Sequence, residues 1–165
     1  MLTEVLVRTL LTQAVDVAQK AFDLGNYPIG TIITDNRGTV VATEMNENQT
    51  ADDITAHAEI LALRKLGRIL DNDAPGDFHL FSSLEPCYGC SFFISRTNVR
   101  HIVSALKDPH KGGIGNLAVR KDFKKFFKDL EIVNEPFADL AIRSRHMLRD
   151  YFLKHGKTKA ASYYS

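Results

Sequence analysis

The chain has 165 residues, enough for one compact domain, and its 44% hydrophobic and 25% charged residues are typical of a globular protein. No apolar run approaches the roughly 20 residues of a membrane-spanning helix, and we find no secretory signal at the start of the sequence. The two cysteines lie in one motif, which argues against a disulfide framework and favours the reducing cytoplasm. We therefore expect neither membrane contact nor a disulfide-stapled scaffold.

Charge is unevenly distributed along the chain, although the formal net charge is only +1. Residues 1–117 contain 10 Lys and Arg against 14 Asp and Glu, whereas residues 118–165 contain 11 against 6. A basic final third can contact nucleic acid, and the simpler interpretation is a solvated helix face. We favour the solvated face and keep the nucleic-acid contact as the alternative.

The first half of the sequence predicts two helices separated by a hairpin and a loop. Apolar residues recur at three- and four-residue steps from Leu6 to Ala21. Thr3 and Gly25 suit the two ends of this helix. β-branched runs on either side of a turn at residues 35–38 indicate the hairpin. We predict a first helix at residues 3–24, two strands at 29–34 and 39–43, a loop at 44–55 and a second helix at 56–66.

The second half alternates short strands with helices, and Pro86 suits the first turn of one helix. We expect the glycine-rich residues 108–115 to form a flexible loop and the polar residues 155–165 to be frayed. In chain order we predict a connection at residues 70–77, a strand at 78–83, a helix at 86–96 and a strand at 101–105. After the loop at 108–115 we predict a helix at 117–128, a strand at 130–133, a helix at 136–153 and the tail at 155–165.

The alternation of strands and helices predicts an α/β fold. We expect a central sheet of about five strands, begun by one hairpin, with helices on both faces. No repeat or linker divides the chain, so we predict one domain at residues 1–154, followed by a polar C-terminal tail at residues 155–165.

Two short motifs carry the chemistry of the chain: T-A-H-A-E at residues 55–59 and E-P-C-Y-G-C at residues 85–90. His57, Cys87 and Cys90 supply one imidazole and two thiolates. Three such ligands plus water compose a catalytic zinc site that keeps one position open. The cysteines lie three residues apart at a predicted helix start, which places both sulfurs on one face.

Two other kinds of site fit the cysteine pair alone. One is a redox pair, which needs no histidine motif upstream. The other is a closed structural zinc site, which needs a fourth ligand, and His79, His101 and His110 are the candidates. None of these histidines has motif spacing relative to the cysteines. We therefore favour the open catalytic site.

In this order the motifs resemble those of the cytidine and deoxycytidylate deaminase superfamily, whose zinc nucleobase deaminases carry H-x-E followed by P-C-x-x-C. Within it the whole chain is similar to the branch of tRNA adenosine deaminases and guanine- or cytosine-type base deaminases. The resemblance implies a three-layer α/β/α fold around a mixed sheet, Zn²⁺ as cofactor and a homodimer. The segments that carry it are residues 27–30, 55–60, 84–87, 95–96 and 99–103.

Five residues have expected roles beyond metal binding. Glu59 lies two residues from His57, so it can take a proton from water, deliver it to a ring nitrogen and later protonate the leaving ammonia. The resemblance implies that Asn46 and the backbone N–H of Ala58 bind the substrate base, and a plain turn residue is the alternative for Asn46. We interpret Phe92 and Phe93 as core residues, with altered packing near the site as the alternative.

The predicted activity is hydrolytic replacement of an amino group on a nucleobase or nucleoside by oxygen, with release of ammonia. The alternative is a tRNA-specific adenosine deaminase, because residues 108–115 partly resemble its substrate-facing loop and the basic C-terminal region suits an RNA backbone. A catalytically silent zinc-binding partner subunit is the third hypothesis. The intact Glu59 argues against it, because an inactive subunit needs no proton carrier.

Overall fold

A computed structural model describes residues 2–71, 76–127 and 130–165 of the chain. Part of the predicted connection at residues 70–77, and the end of the predicted helix at residues 117–128, lie outside these ranges. The helices are α1 (Glu4–Asp23), α2 (Ala58–Leu66), α3 (Tyr88–Ile94), α4 (Ile114–Ala118), α5 (Ala138–Lys154) and α6 (Thr158–Ala161). The strands are β1 (Gly30–Asp35), β2 (Val40–Met45), β3 (Phe78–Ser82), β4 (Val99–Ser104) and β5 (Glu131–Asn134).

The five strands form one mixed sheet in the order β2-β1-β3-β4-β5. β1 is antiparallel to both of its neighbours, whereas β3, β4 and β5 are parallel to one another. The predicted hairpin is therefore present as β1 and β2. The five-stranded mixed sheet confirms the α/β fold class expected from the sequence.

Strand side chains alternate between the two faces of the sheet and pack against a different layer of helices on each face. One set packs against α1 and α5 and consists of Ile32, Phe81 and Val103. The next residue of β1 and the preceding residues of β3 and β4 pack against the opposite layer of α2, α3 and α4; these are Ile33, Leu80 and Ile102. Because successive side chains of a strand point to opposite faces, this pattern produces the three-layer α/β/α arrangement.

α1 shows how closely one of these layers approaches the sheet. Its start is capped as predicted, with the Thr3 hydroxyl accepting the Leu6 N–H at 3.3 Å. On the buried side, a Cβ at Gly30 would collide with the carbonyl oxygen of Ala14 and lie 2.6 Å from the Ala18 nitrogen. Glycine is therefore required where β1 begins against the helix.

The polar ends of several strands meet at one edge of the sheet. β2 runs in the same direction as β3, because each is antiparallel to β1. Asn46 follows β2, Cys87 comes shortly after β3, and Asp108 comes shortly after β4. The carboxyl ends of parallel strands are where α/β folds bind ligands. The topology therefore brings the sequence motifs to a common edge.

The predicted helix at residues 117–128 is wrong over most of its length. α4 ends at Ala118, and a separate short 3₁₀ turn spans Lys124–Phe126. Between them the N–H groups of Arg120 and Phe123 donate to carbonyl groups three residues earlier, at 3.1 and 3.0 Å, so the backbone forms separate turns in place of one continuous α-helix. The helix predicted at residues 86–96 is also shorter, because Cys87 caps it and it ends at Ile94.

None of the helices in the described ranges combines the length and the apolar composition that crossing a bilayer requires.

Candidate active site

Three potential metal ligands converge where two helices begin. His57 occupies the N-cap position of α2, Cys87 occupies that of α3, and Cys90 lies in the first turn of α3. The His57 Nδ1 atom lies 3.7 Å from Cys87 Sγ and 3.5 Å from Cys90 Sγ. The two sulfurs are 3.5 Å apart. These residues form the one group of three possible metal ligands found in the described part of the chain.

The spacing of the three atoms fits tetrahedral zinc. Zn–S bonds of about 2.3 Å and Zn–N bonds of about 2.0–2.1 Å place neighbouring tetrahedral ligands about 3.5–3.8 Å apart. The observed separations of 3.5–3.7 Å lie in this range. One histidine and two cysteines also leave a fourth position for water. Zinc bound by such a set provides a nucleophilic water at neutral pH.

The three histidines considered as fourth ligands have other partners. The rings of His79 and His101 stack on each other at a centroid separation of 4.4 Å. The ring of His110 stacks on that of Tyr163 at 4.3 Å. None of the three belongs to the metal-ligand group among the described residues. The geometry therefore favours an open site over a closed four-ligand site.

Glu59 lies beside this group and faces a cavity. It is the second residue of α2, it is only 3% exposed, and its Oε2 atom is 3.5 Å from Cys90 Sγ. Burial raises the pKa of Glu59, because desolvation disfavours the carboxylate. A carboxyl group with a raised pKa can both hold and release a proton within the cavity.

The two cysteines have opposite protonation tendencies in the metal-free protein. Hydrogen bonds with Cys90 and with His57 together outweigh the effect of burial and lower the pKa of Cys87 to about 4. The hydrogen bond with Cys87, together with burial, raises the pKa of Cys90. The Cys87 hydrogen bond also raises the pKa of His57. Metal binding must therefore displace the proton that Cys90 holds, because thiolates are the zinc ligands.

Asn46 and Ala58, the two residues expected to bind a base, lie close to this group. Asn46 is buried and lines the cavity. Its side-chain oxygen accepts the Asn48 N–H at 3.1 Å, and its amide nitrogen donates to the Asn48 side chain at 2.6 Å. Asn46 therefore also shapes the turn after β2. Ala58 is the first residue of α2, where a backbone N–H has no intrahelical acceptor.

The cavity above the metal-ligand group has a volume of about 580 Å³. Protein pockets for small ligands span about 300–1,000 Å³. His57, Glu59 and Cys87 contribute to its lining, and so do residues far away in the sequence. Small organic substrates can therefore reach the Glu59 carboxyl group together with His57 and Cys87.

Residues 108–115, predicted to be a flexible loop, are tightly packed against the cysteine motif. Glu85 is buried, and its carboxylate accepts the N–H groups of Asp108 at 3.3 Å and Gly115 at 3.4 Å. Gly112 forms a β-bridge with Cys87, and a Cβ at Gly112 would collide with the Glu85 carboxylate. Glycine at position 112 therefore allows the backbone of residues 108–115 to lie close to the Glu85 carboxylate. Glu85 lies within the recognised motif, but its two partners were not predictable from spacing.

The C-terminal tail, predicted to be frayed, is ordered and contributes to the cavity. Residues 157–164, which we call the closing segment, contain α6 and a 3₁₀ turn at Ser162–Tyr164. Lys157, Ala160, Tyr163 and Tyr164 all line the cavity. Two adjacent aromatic residues in a polar tail were the available sequence signal. Their partners Asp108 and His110 lie more than 50 positions earlier in the sequence, so no local pattern predicts these contacts.

Phe92 and Phe93, interpreted as core residues, lie on the surface. Phe92 is 41% exposed and Phe93 is 56% exposed, and neither lines the cavity. In α3 the buried face consists instead of Cys90, Ser91 and Ile94. The inner face of α3 packs toward the metal-ligand group, and the rings of Phe92 and Phe93 therefore lie on its outer, exposed face.

Comparison with known proteins defines the family. A model of the cytidine and deoxycytidylate deaminase zinc-binding region matches residues 6–106. The tRNA-specific adenosine deaminase of Haemophilus influenzae is 29% identical over 130 residues, covering 79% of this chain and 75% of that protein. The protein of the same name from Agrobacterium fabrum is 31% identical over 138 residues, covering 82% and 86%.

The fold is also shared with a solved guanine deaminase from Nitrosomonas europaea. Its TM-score is 0.69 at 18% identity, over 86% of this chain and 82% of that one. The family match includes both metal-binding motifs and ends before residues 108–115 and the closing segment. The chain therefore belongs to the cytidine and deoxycytidylate deaminase family and is a zinc-dependent deaminase.

Proposed function

We propose that this deaminase acts on a free nucleobase or nucleoside, replacing its exocyclic amino group by oxygen. The observation that carries the proposal is the cavity of about 580 Å³, which holds Glu59 beside the zinc ligands and is walled by the closing segment. A single base with its sugar fits a pocket of this size, and the closing segment lies where the backbone on either side of a base within a polynucleotide would have to pass.

In this proposal the residues of the chain divide the work. Glu59 takes one proton from the attacking water and gives it to the ring nitrogen. It then takes the remaining proton from the newly attached hydroxyl and delivers it to the amino group, which leaves as ammonia while the carbonyl forms. The second amide hydrogen of Asn46 and the N–H of Ala58 bind polar atoms of the base. Burial of Glu59 supports its role, because a raised carboxyl pKa brings proton uptake closer to neutral pH.

tRNA adenosine deamination is the second candidate, favoured by the 29% and 31% identical relatives. The basic C-terminal region supports it less than its composition suggests. Three arginines of α5 form ion pairs with N–O distances of 2.6 to 3.8 Å: Arg143 with Asp16, Arg145 with Glu135 and Arg149 with Asp150. These pairs neutralise charge that phosphate groups would need.

Ammonia release from a substrate panel separates the two candidates. The panel contains adenine, guanine, cytosine, adenosine, cytidine and a tRNA transcript with adenosine at the wobble position. We expect turnover of at least one free base or nucleoside. Turnover of the tRNA alone, with binding that weakens steeply as salt rises, would establish the second candidate instead.

We also propose that the chain works as a homodimer in the cytoplasm. The family resemblance implies the dimer, and two unpaired cysteines suit a reducing compartment. Light scattering at several protein concentrations measures the oligomeric state, and a molar mass of one chain throughout would contradict the dimer.

A further inference from the structure

The closing segment turns back across the cavity after α5. α5 ends at Lys154, and Gly156 has a φ of 68°, a left-handed conformation that glycine adopts without strain. The Lys157 N–H then donates to the Phe152 carbonyl at 2.8 Å, which fixes the reversal. Lys157 Nζ lies 3.4 Å from the Tyr27 hydroxyl, which belongs to another wall of the cavity.

Tyr164 anchors the segment to the loop beside the metal-ligand group. Its side chain is buried, with the residue 6% exposed, and its hydroxyl donates to Asp108 Oδ1 at 3.0 Å. Its ring stacks on Phe152 with centroids 5.8 Å apart. Asp108 is in turn held by Glu85 through its backbone N–H. The anchor therefore connects the segment to the residues that pack against Cys87.

Tyr163 forms a second contact at the rim of the cavity. Its ring lies parallel to that of His110, with an interplanar angle of 10° and a centroid separation of 4.3 Å. Both residues line the cavity, and both keep part of their surface in contact with solvent. The stacked pair therefore joins the closing segment to residues 108–115 at the entrance.

We infer that Tyr163 and Tyr164 select the substrate by holding the closing segment across the entrance, so that a free base or nucleoside enters and a base within a polynucleotide is rejected. This inference rests on the proposed function. A base within a strand carries phosphodiester backbone on both sides of its sugar. That backbone must leave the cavity, and the closing segment occupies part of the space it needs.

The test compares wild type with Tyr164→Phe and Tyr163→Ala. Tyr164→Phe removes the hydrogen bond to Asp108 and keeps the buried ring, and one such bond corresponds to about a five-fold effect. We expect KM for the small substrate to rise about five-fold while kcat and zinc content stay close to wild type. Activity on a stem–loop RNA with the same base unpaired in its loop should increase.

Two further variants separate selection from general damage. Tyr88→Phe removes a hydroxyl that contacts Asn116 and lies outside the cavity lining, so it is the matched control. Tyr163→Phe keeps the stacked ring and should retain most of the activity that Tyr163→Ala loses. The decisive quantity is the ratio of kcat/KM on the free base to kcat/KM on the RNA, because a structural defect lowers both together.

The possible outcomes are distinct. A ratio that falls in Tyr164→Phe and Tyr163→Ala, and not in Tyr88→Phe, supports the inference. A ratio unchanged in all variants of an enzyme active on free bases overturns the inference alone. A wild-type enzyme active only on RNA overturns the proposed function, and this inference with it.

Discussion

Glu59 is buried beside a sulfur ligand and opens onto the cavity, yet it does not belong to the metal-ligand group. Replacing it by glutamine preserves its shape and removes its ability to carry a proton. We expect Glu59→Gln to bind zinc as wild type does and to lose at least about 100-fold in kcat, because general acid–base groups contribute about 10²–10⁴-fold. Metal analysis and ammonia release measure the two effects.

The control for this substitution is Glu4→Gln, the same chemical change at an exposed position of α1. It should leave zinc content and activity as they are. Loss of zinc in Glu59→Gln would make Glu59 a ligand, and retained activity would assign the proton transfer to another group.

Cys87 and Cys90 should differ in reactivity when zinc is absent. Cys87 is partly exposed and has a pKa lowered to about 4, whereas Cys90 is buried with a raised pKa. A lowered thiol pKa makes the thiolate the major form above pH 4. We therefore expect iodoacetamide to modify Cys87 alone at neutral pH, at a rate nearly constant between about pH 6 and 8.

Mass spectrometry of the chelator-treated protein measures this reaction, and zinc should protect Cys87. A rate that rises about ten-fold per pH unit up to pH 8 would show that Cys87 behaves as an ordinary thiol. Equal modification of both cysteines would contradict the burial and hydrogen bonding of Cys90.

At the residue scale, the sequence predicted the metal-ligand group because its members have fixed short spacings at helix starts. His57, Cys87 and Cys90 lie together as expected. Tyr163 and Tyr164 could not be predicted as cavity residues. Their positions depend on a chain reversal and on contacts with residues 108–115, and neither leaves a periodic signal.

Among the elements, α3 and residues 108–115 depend on each other. A Cβ at Gly113 would collide with the Tyr88 nitrogen and lie 2.7 Å from the Cys87 carbonyl carbon, so backbone would have to move. We expect Gly113→Ala to reduce the free energy of unfolding by about 1–3 kcal/mol, a typical result of overpacking. Zinc affinity should fall as well, because Cys87 shifts with the backbone.

Gly89→Ala is the control for this prediction. Gly89 is the second residue of α3, directly after Tyr88, and a Cβ added there meets no atom within 4 Å. Denaturant unfolding should place this variant within about 1 kcal/mol of wild type. Equal stability of the two alanine variants would mean that residues 108–115 yield easily, as the sequence first suggested.

The success of prediction also differed among elements. α1 was predictable because it buries one face at helical periodicity. β1 and β3 are buried on both faces, and they were predictable as short runs bounded by turn residues. The region at residues 117–128 has apolar residues at helical steps, but α4 stops at Ala118. Its apolar side chains reach the core from turns, which periodicity alone does not distinguish from a helix.

At the scale of the whole molecule, zinc connects separate parts of the fold. Its ligands come from the first turns of α2 and α3, which precede and follow β3 in the sequence. Zinc at about 100–1,000 times its Kd stabilises the folded state by about 3–4 kcal/mol, and for a domain of this size that corresponds to about 6–16 °C in Tm. Calorimetry before and after chelation measures the shift.

Restoring zinc should restore Tm, whereas magnesium should not, because thiolates bind the softer ion. Identical melting of the loaded and chelated protein would mean that the three ligand residues hold no metal. The overall α/β order was predictable because strands and helices alternate along the chain. The packing of the closing segment was not, because it depends on contacts with Phe152 of α5 and with residues 108–115.

Reaction in water enriched in heavy oxygen gives the sharpest test of hydrolytic deamination at this site. The zinc-loaded enzyme is incubated with each substrate of the panel, the tRNA included, and the masses of the products are measured by mass spectrometry. We predict a product that carries the heavy solvent oxygen where the amino group stood, formed together with an equal amount of ammonia and at least about 100-fold more slowly with Glu59→Gln. If the zinc-loaded wild type forms no oxygen-labelled product from any substrate, tRNA included, hydrolytic deamination at this site is contradicted.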